Sequence, residues 1–136
     1  MKAVFDTNIF VSALALPGGQ AEHAINLVMD RRVNLLVSKD IIHEVLGVLA
    51  QKFSKDSEEL SRVAVFLSEL GELIVPLKKL AVLDDEPDNR ILECAVTGRA
   101  DVIVTGDKAM LNIKNYLGIR ILSLRHFLDE FTASDI

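Results

Sequence analysis

Residues 102–107 read VIVTGD: three β-branched residues are followed by a threonine, a glycine and Asp107. The apolar part is too short for a helix and does not alternate with polar residues, as expected for a strand that is covered on both faces. The same arrangement occurs at residues 3–8, AVFDTN, where Asp6 follows the apolar run. Ligands bind at the carboxyl ends of the strands in open α/β sheets, so both aspartates are candidate functional residues.

Five short apolar runs alternate with longer helical patterns, which predicts alternating β and α units around a parallel sheet. We therefore expect a Rossmann-like, three-layer α/β/α domain with right-handed crossovers and a parallel sheet of about five strands. The runs are Ala3 to Phe5, Leu35 to Val37, Leu73 to Val75, Val102 to Val104 and Ile119 to Leu122.

Four segments carry apolar residues at helical spacing. One begins near Lys39, where Ser38 is placed to cap the free amides, and the others cover residues 60–70, the region from Ile91 and the region after Ser123. Residues 17–19, Pro-Gly-Gly, are predicted to form a turn. They match neither glycine pattern of nucleotide-binding loops, which argues against a nucleotide cofactor.

The composition is that of one folded domain, residues 1–136, with 50% hydrophobic and 26% charged residues. A formal net charge of −5 argues against a protein that coats nucleic acid by bulk electrostatics, but it leaves open an enzyme with a local acidic site. The single cysteine, Cys94, lies in an apolar helical run and is expected to be buried and inert. Neither a leader pattern nor an apolar stretch of membrane-spanning length is present, so we expect a cytoplasmic protein.

Two further carboxylates are harder to interpret from the pattern alone. Asp88 follows Pro87 at the start of a predicted helix, where it could be either a helix cap or a functional acid. Glu44 lies about 200° around its helix from Ile42, so periodicity by itself places it on the solvent face. The three histidines have no metal-ligand spacing, which makes a zinc site improbable.

Four carboxylates that converge would repel each other unless hard divalent ions lay between them. Mg²⁺ prefers oxygen ligands and retains several waters, and Mn²⁺ accepts the same ligands. The chemistry that such a site implies is phosphodiester hydrolysis by an activated water, without a nucleophilic side chain.

The ordered set of motifs resembles the PIN domain over nearly the whole chain. The motifs are Asp6-Thr7-Asn8 after a short strand, Ser38 with Glu44 six residues later, Asp88-x-x-Ile91-Leu92, and Thr105-Gly106-Asp107. No single motif is specific, but their order and spacing in an α/β chain of this length are.

The resemblance implies a metal-dependent ribonuclease with Asp6, Glu44, Asp88 and Asp107 as an acidic quartet that binds Mg²⁺ or Mn²⁺. Asn8, Thr105 and Ser38 would be polar neighbours that orient carboxylates and waters. The stretch from Asp6 to Gly19 also resembles PIN domains that are toxins of toxin-antitoxin pairs. That similarity implies an RNA target, a small antitoxin partner and a homodimer.

Some alternatives remain at the level of sequence. Asp85 could be a ligand in place of Asp88 or together with it, whereas Asp101 and Glu93 are not expected to reach the metal. A receiver-like signalling domain could use Asp6, Thr105 and Lys108 as its phosphoacceptor set, although no second acid adjoins Asp6. A haloacid-dehalogenase-like phosphatase would need an aspartate in place of Asn8. A PIN-like scaffold that binds RNA or a partner without cleavage is the third alternative.

Overall fold

The computed structural model describes residues 1–134, and a six-stranded sheet forms its centre. The strands are β1 (Lys2–Phe5), β2 (Asn34–Val37), β3 (Glu72–Leu73), β4 (Val102–Val104), β5 (Asn115–Tyr116) and β6 (Ile119–Leu122). Their order in the sheet is β3-β2-β1-β4-β6-β5. Neighbouring strands are parallel, apart from β5, which pairs antiparallel with β6.

Seven helices connect or follow these strands within residues 1–134. They are α1 (Thr7–Ala15), α2 (Gln20–Met29), α3 (Lys39–Phe53), α4 (Ser57–Leu70), α5 (Glu86–Gly98), α6 (Lys108–Ile113) and α7 (Leu124–Ser134). None of the helices in this part of the chain combines the length and the apolar character that a membrane crossing requires.

The sheet is covered on both faces. In β1, successive side chains point to opposite faces, yet Ala3, Val4 and Phe5 are all fully buried. Phe5 packs against Phe10 of α1 and Phe127 of α7, with ring centroids 5.9 and 5.7 Å apart. These contacts place α1 and α7 on one face of the sheet.

Helix α5 covers the other face. Val4 pairs in register with Leu36 of β2, and a Cβ added to Gly98 of α5 would lie 2.6 Å from Leu36 Cδ1. Only glycine allows so close an approach of α5 to the sheet. The three-layer α/β/α architecture expected from the sequence is therefore confirmed.

Two details of the predicted sheet are wrong. The sheet has a sixth strand, β5, which is antiparallel and only two residues long, too short for a recognisable apolar pattern. It joins β6 through Leu117 and Gly118, which both have positive φ, as a two-residue hairpin turn requires. Strand β3 covers residues 72–73 rather than 73–75, although the Ile74 amide still donates to the Val37 carbonyl at 2.7 Å. Pro76, which cannot donate, then prevents further pairing.

The predicted helix in the Lys39 region and those near residues 60–70, 91 and 124 are present, and residues 17–19 lie in the turn between α1 and α2. Ser38 caps α3, since its side chain accepts from the Ile41 amide at 3.3 Å. The order in which strands are added to the sheet reverses at β1: β2 and β3 lie on one side of it, and β4 and β6 lie on the other. This switch point brings the carboxyl ends of β1 and β4 together, as expected for a ligand site.

Candidate functional site

The first two aspartates of the site follow the adjacent strands β1 and β4. Phe5 and Val104 are register partners, and the Asp6 amide donates to the Val104 carbonyl at 2.9 Å. The Thr105 hydroxyl donates to Asp6 Oδ2 at 2.6 Å, and it accepts from the Asp107 amide at 3.0 Å. Thr105 is fully buried and Asp6 is 6% exposed. The strand pairing therefore fixes the Asp6 carboxylate beside the start of α6.

Asp107 is the N-cap of α6. Its Oδ2 accepts from the Met110 amide at 2.9 Å, and its side chain is partly buried. One carboxylate oxygen is thus committed to the helix, and this bond fixes the orientation of the group. A carboxylate also suits a helix N-terminus electrostatically, because the helix dipole is positive there.

Asp88 belongs to the first turn of α5 and is only 6% exposed. The interpretation of Asp88 as a helix cap is wrong: Asp85 is the N-cap, and Pro87 occupies the first turn. The helix begins earlier than the apolar pattern indicates because proline is favoured at such positions. The Asp88 side chain is therefore not needed to cap α5.

The charges of these acids act on one another. The pKa of Asp88 is raised to about 7, and burial is the largest cause. The charges of Asp107, Asp6 and Asp85 also raise it, as does a hydrogen bond between the Asp88 and Asp107 side chains. Burial also raises the pKa of Asp6, against the lowering effect of hydrogen bonds from Thr105 and from the amides of Asn8 and Thr7. The charge of Asp107 adds to that increase. Asp6, Asp88 and Asp107 are therefore close enough to repel each other when ionised.

Glu44, the fourth predicted acid, lies at the rim of the site. Its side chain is exposed on α3, and the charges that raise the pKa of Asp88 do not include that of Glu44. Glu44 lines a cavity of about 320 Å³ that is also lined by Thr7, the residue after Asp6. The other lining residues are Asp40, Ile41, His43, Glu86, Pro87 and Arg90. The structure thus brings three of the four predicted carboxylates together, whereas the fourth, Glu44, lies in the lining of this neighbouring cavity.

The three predicted polar neighbours have different surroundings. Thr105 contacts the acids directly, as described above. The Asn8 side chain is exposed, and only its backbone amide interacts with Asp6. Ser38, the N-cap of α3, is buried and hydrogen-bonds to the side chain of Cys94. Burial raises the pKa of the Cys94 thiol to about 12. The expectation of a buried, unreactive cysteine is therefore supported.

Asp101 and Glu93 lie away from the aspartates, as expected. Asp101 accepts from the Lys2 amide at 2.8 Å at the amino ends of β1 and β4, on the opposite edge of the sheet. Glu93 is buried, and its carboxylate accepts from the Leu80 amide at 2.7 Å and forms an ion pair with Arg90 at 2.8 Å.

Sequence reasoning did not single out Asn89 and Arg90, which hold the segment leading to Asp85. Asn89 is fully buried and bonds to the backbone of Val82 and Leu83. Arg90 pairs with Glu86 and Glu93. The spacing of Glu86, Arg90 and Glu93 along α5 indicates ion pairs, but nothing in the sequence distinguishes Asn89 from an exposed amide.

The donor chemistry of the site fits a hard divalent cation. Asp6, Asp88 and Asp107 offer oxygen atoms, and their mutual repulsion would be relieved by a cation between them. Neither histidine nor cysteine contributes, which disfavours zinc. Among residues 1–134 no group of three or more acidic, histidine or cysteine side chains is already arranged as a set of metal ligands. Side-chain rotations would therefore have to accompany binding.

A comparison with protein families matches residues 2–109 to the PIN domain. The chain belongs to the PIN domain family. An uncharacterized protein of Methanocaldococcus jannaschii is 25% identical to this PIN domain over 143 aligned residues, which cover 96% of this chain and 92% of the relative. The family assignment favours the PIN interpretation over a receiver-like or phosphatase-like domain.

Two solved structures resemble this PIN domain in fold. VapBC2 from Rickettsia felis, bound to a DNA fragment from its promoter, superposes with a TM-score of 0.65 at 16% identity. The match covers 90% of this chain and 98% of the other. VapBC-1 from nontypeable Haemophilus influenzae gives a TM-score of 0.63 at 16% identity, with 92% and 99% covered. At these identities the similarity establishes the fold alone.

Proposed function

We propose that this PIN domain is a ribonuclease that hydrolyses RNA phosphodiester bonds with the help of Mg²⁺ or Mn²⁺. The observation that carries the proposal is the convergence of Asp6, Asp88 and Asp107, which come from three separate parts of the chain. Burial and neighbouring carboxylate charges raise the pKa of Asp6 and Asp88, and carboxylates perturbed in this way are typical of functional sites.

In the proposed mechanism, Asp6, Asp88 and Asp107 hold the divalent ion, and Glu44 completes the acidic set from the rim. The bound ion would lower the pKa of the attacking water and offset charge on the leaving oxygen. Thr105 donates to Asp6 Oδ2 and so fixes the orientation of the carboxylate that would hold the ion. A metal ion between the Asp88 and Asp107 carboxylates would compete with the proton that the hydrogen bond between these side chains requires.

We further propose that the chain is the toxin of a toxin-antitoxin pair. It would act on RNA, bind a protein antitoxin and form a homodimer in the cytoplasm. The fold similarity to the VapBC structures and the resemblance of residues 6–19 to PIN toxins support this proposal.

An RNA cleavage assay with a panel of structured RNAs tests the nuclease proposal. The purified parent chain should cleave in Mg²⁺ or Mn²⁺ but not in chelator, and Ca²⁺ should not replace them because its larger, looser shell positions water poorly. Asp6→Asn and Asp88→Asn should abolish cleavage without a change in the circular dichroism spectrum. Asp101→Asn is the matched control, since it neutralises an aspartate on the opposite edge of the sheet.

Three results would contradict the proposal. Undiminished cleavage in chelator would exclude the metal mechanism, and full activity of either site variant would remove that residue from the site. RNA binding without cleavage under every metal condition would favour a non-catalytic PIN-like scaffold.

A further inference from the structure

The segment of residues 74–85, between β3 and α5, is held mainly by side chains of α5 instead of by strand pairing. Three α5 side chains accept hydrogen bonds from its backbone: Asn89, Glu93 and Thr97. They are spaced at intervals of four residues and so lie along one face of the helix. The Leu77 amide donates to Thr97 at 3.1 Å, and the Leu80 amide donates to Glu93 at 2.7 Å. The amides of Val82 and Leu83 both donate to Asn89, at 3.0 and 2.9 Å.

Asn89 makes the densest set of these bonds. Besides accepting from two amides, it donates from Nδ2 to the Leu83 carbonyl at 2.8 Å. The side chain is fully buried, and a buried amide is tolerated only when its polar atoms are satisfied. These three bonds therefore fix residues 82–83, directly before Asp84 and Asp85.

Asp85 is the N-cap of α5, but its carboxylate makes no capping hydrogen bond. Its backbone carbonyl accepts from the amides of Asp88 and Asn89 at 3.1 and 3.3 Å. An aspartate at an N-cap ordinarily uses its side chain to satisfy a helix amide. Here the carboxylate is left to act elsewhere, and Asp85 is one of the charges that act on Asp88.

We infer that Asn89 is a positioning residue for the acidic site. By holding residues 82–83, Asn89 directs the Asp85 carboxylate towards Asp88, so that Asp85 joins Asp6, Asp88 and Asp107 as a further ligand for a divalent ion. This inference rests on the proposed metal-dependent function. Under this inference Asp85 is a ligand together with Asp88, which is one of the two alternatives that the sequence leaves open.

A double-mutant cycle on Mn²⁺ binding tests the inference with the purified full chain. Free Mn²⁺ is measured by electron paramagnetic resonance for the parent, Asn89→Ala, Asp85→Asn and the double variant. Asn89→Ala should weaken Mn²⁺ binding about tenfold, as loss of support for a ligand typically does. In the Asp85→Asn background the same change should have no further effect, because Asn89 acts through Asp85.

Thr97→Val is the matched control. It removes an acceptor of the same kind at the far end of the segment, from the Leu77 amide, and should leave Mn²⁺ affinity unchanged. Circular dichroism checks folding. If Asn89→Ala does not fold, Asn89→Ser replaces it in the cycle: its hydroxyl can still accept from a backbone amide, but the shorter side chain cannot reproduce all three bonds of Asn89, so weaker Mn²⁺ binding is still expected.

The inference would be overturned if Asn89→Ala weakened Mn²⁺ binding equally in the parent and in the Asp85→Asn background. It would also be overturned if Thr97→Val weakened Mn²⁺ binding as much as Asn89→Ala does. Parental Mn²⁺ affinity in Asn89→Ala would overturn it too, and that result would leave the proposed function intact. A parent chain that binds no Mn²⁺ would overturn the proposed function and this inference together.

Discussion

The Thr105 hydroxyl donates to Asp6 Oδ2 at 2.6 Å across 99 residues of sequence. The Thr105 hydroxyl oxygen also accepts from the Asp107 amide at 3.0 Å. One buried hydroxyl therefore sets the orientation of the Asp6 carboxylate and the position of the Asp107 backbone. The link forms because β1 and β4 are neighbours in the sheet and end at the same edge.

Thr105→Val should weaken Mn²⁺ binding by about 10- to 100-fold, because the substitution keeps the shape but removes the group that orients Asp6. It should also reduce the free energy of unfolding by about 1–3 kcal/mol, since the Asp107 amide loses its acceptor. Electron paramagnetic resonance of Mn²⁺ and urea unfolding measure the two effects. Thr105→Ser, which keeps the hydroxyl, should restore both. Equal values for the valine and serine variants would show that the hydroxyl has no such role.

Asp107→Asn should stabilise the metal-free protein, because it removes a negative charge that acts on Asp6 and Asp88. The asparagine can still cap α6, so the helix start is retained. Added Mn²⁺ should stabilise the parent much more than the variant, since an ion that binds only the folded state stabilises it by mass action. Thermal melts at neutral pH with and without Mn²⁺ measure both differences. A lower metal-free melting temperature with an unchanged Mn²⁺ increment would make Asp107 a structural residue.

The stability of the metal-free protein should fall as pH rises from about 4 to about 7. Burial and neighbouring charges raise the pKa of Asp88 to about 7, above the ordinary value of about 3.9 for an unfolded aspartate. Between these values the folded state holds more protons than the unfolded state, so its advantage is present at low pH and is lost as Asp88 ionises. Urea unfolding at several pH values should show a smaller decrease for Asp88→Asn. Parallel pH profiles for the two proteins would contradict the raised pKa.

Glu44→Gln should reduce cleavage less than Asp6→Asn does, because Glu44 is exposed at the rim of the cavity. The change should alter the free energy of unfolding by less than about 0.5 kcal/mol, as is usual for an exposed position. Cleavage rates at saturating Mn²⁺ and urea unfolding provide the comparison. A loss of cleavage as complete as that of Asp6→Asn would instead place Glu44 at the centre of the site.

The sequence by itself determined the strands β1 and β4 and the acids that follow them. Short apolar runs without alternation identify strands that are buried on both faces, and the residue after such a run lies at the edge of the sheet where ligands bind. The Ser38 cap was equally predictable, since helix capping depends on residues within one turn. These features depend on local patterns, which a single sequence contains.

Only the tertiary structure decided which other groups accompany Asp6 and Asp107. Helix α5 begins at Glu86, so Asp88 lies in its first turn and not at its cap, and the buried side chain of Asn89 bonds to the backbone of residues 82 and 83. Glu44 lies on the exposed face of α3, as its helical position alone predicted. The conformation of residues 74–85 likewise depends on the packing of that segment against side chains of α5. Contacts of that kind arise when elements pack together, so no local pattern of residue types predicts them.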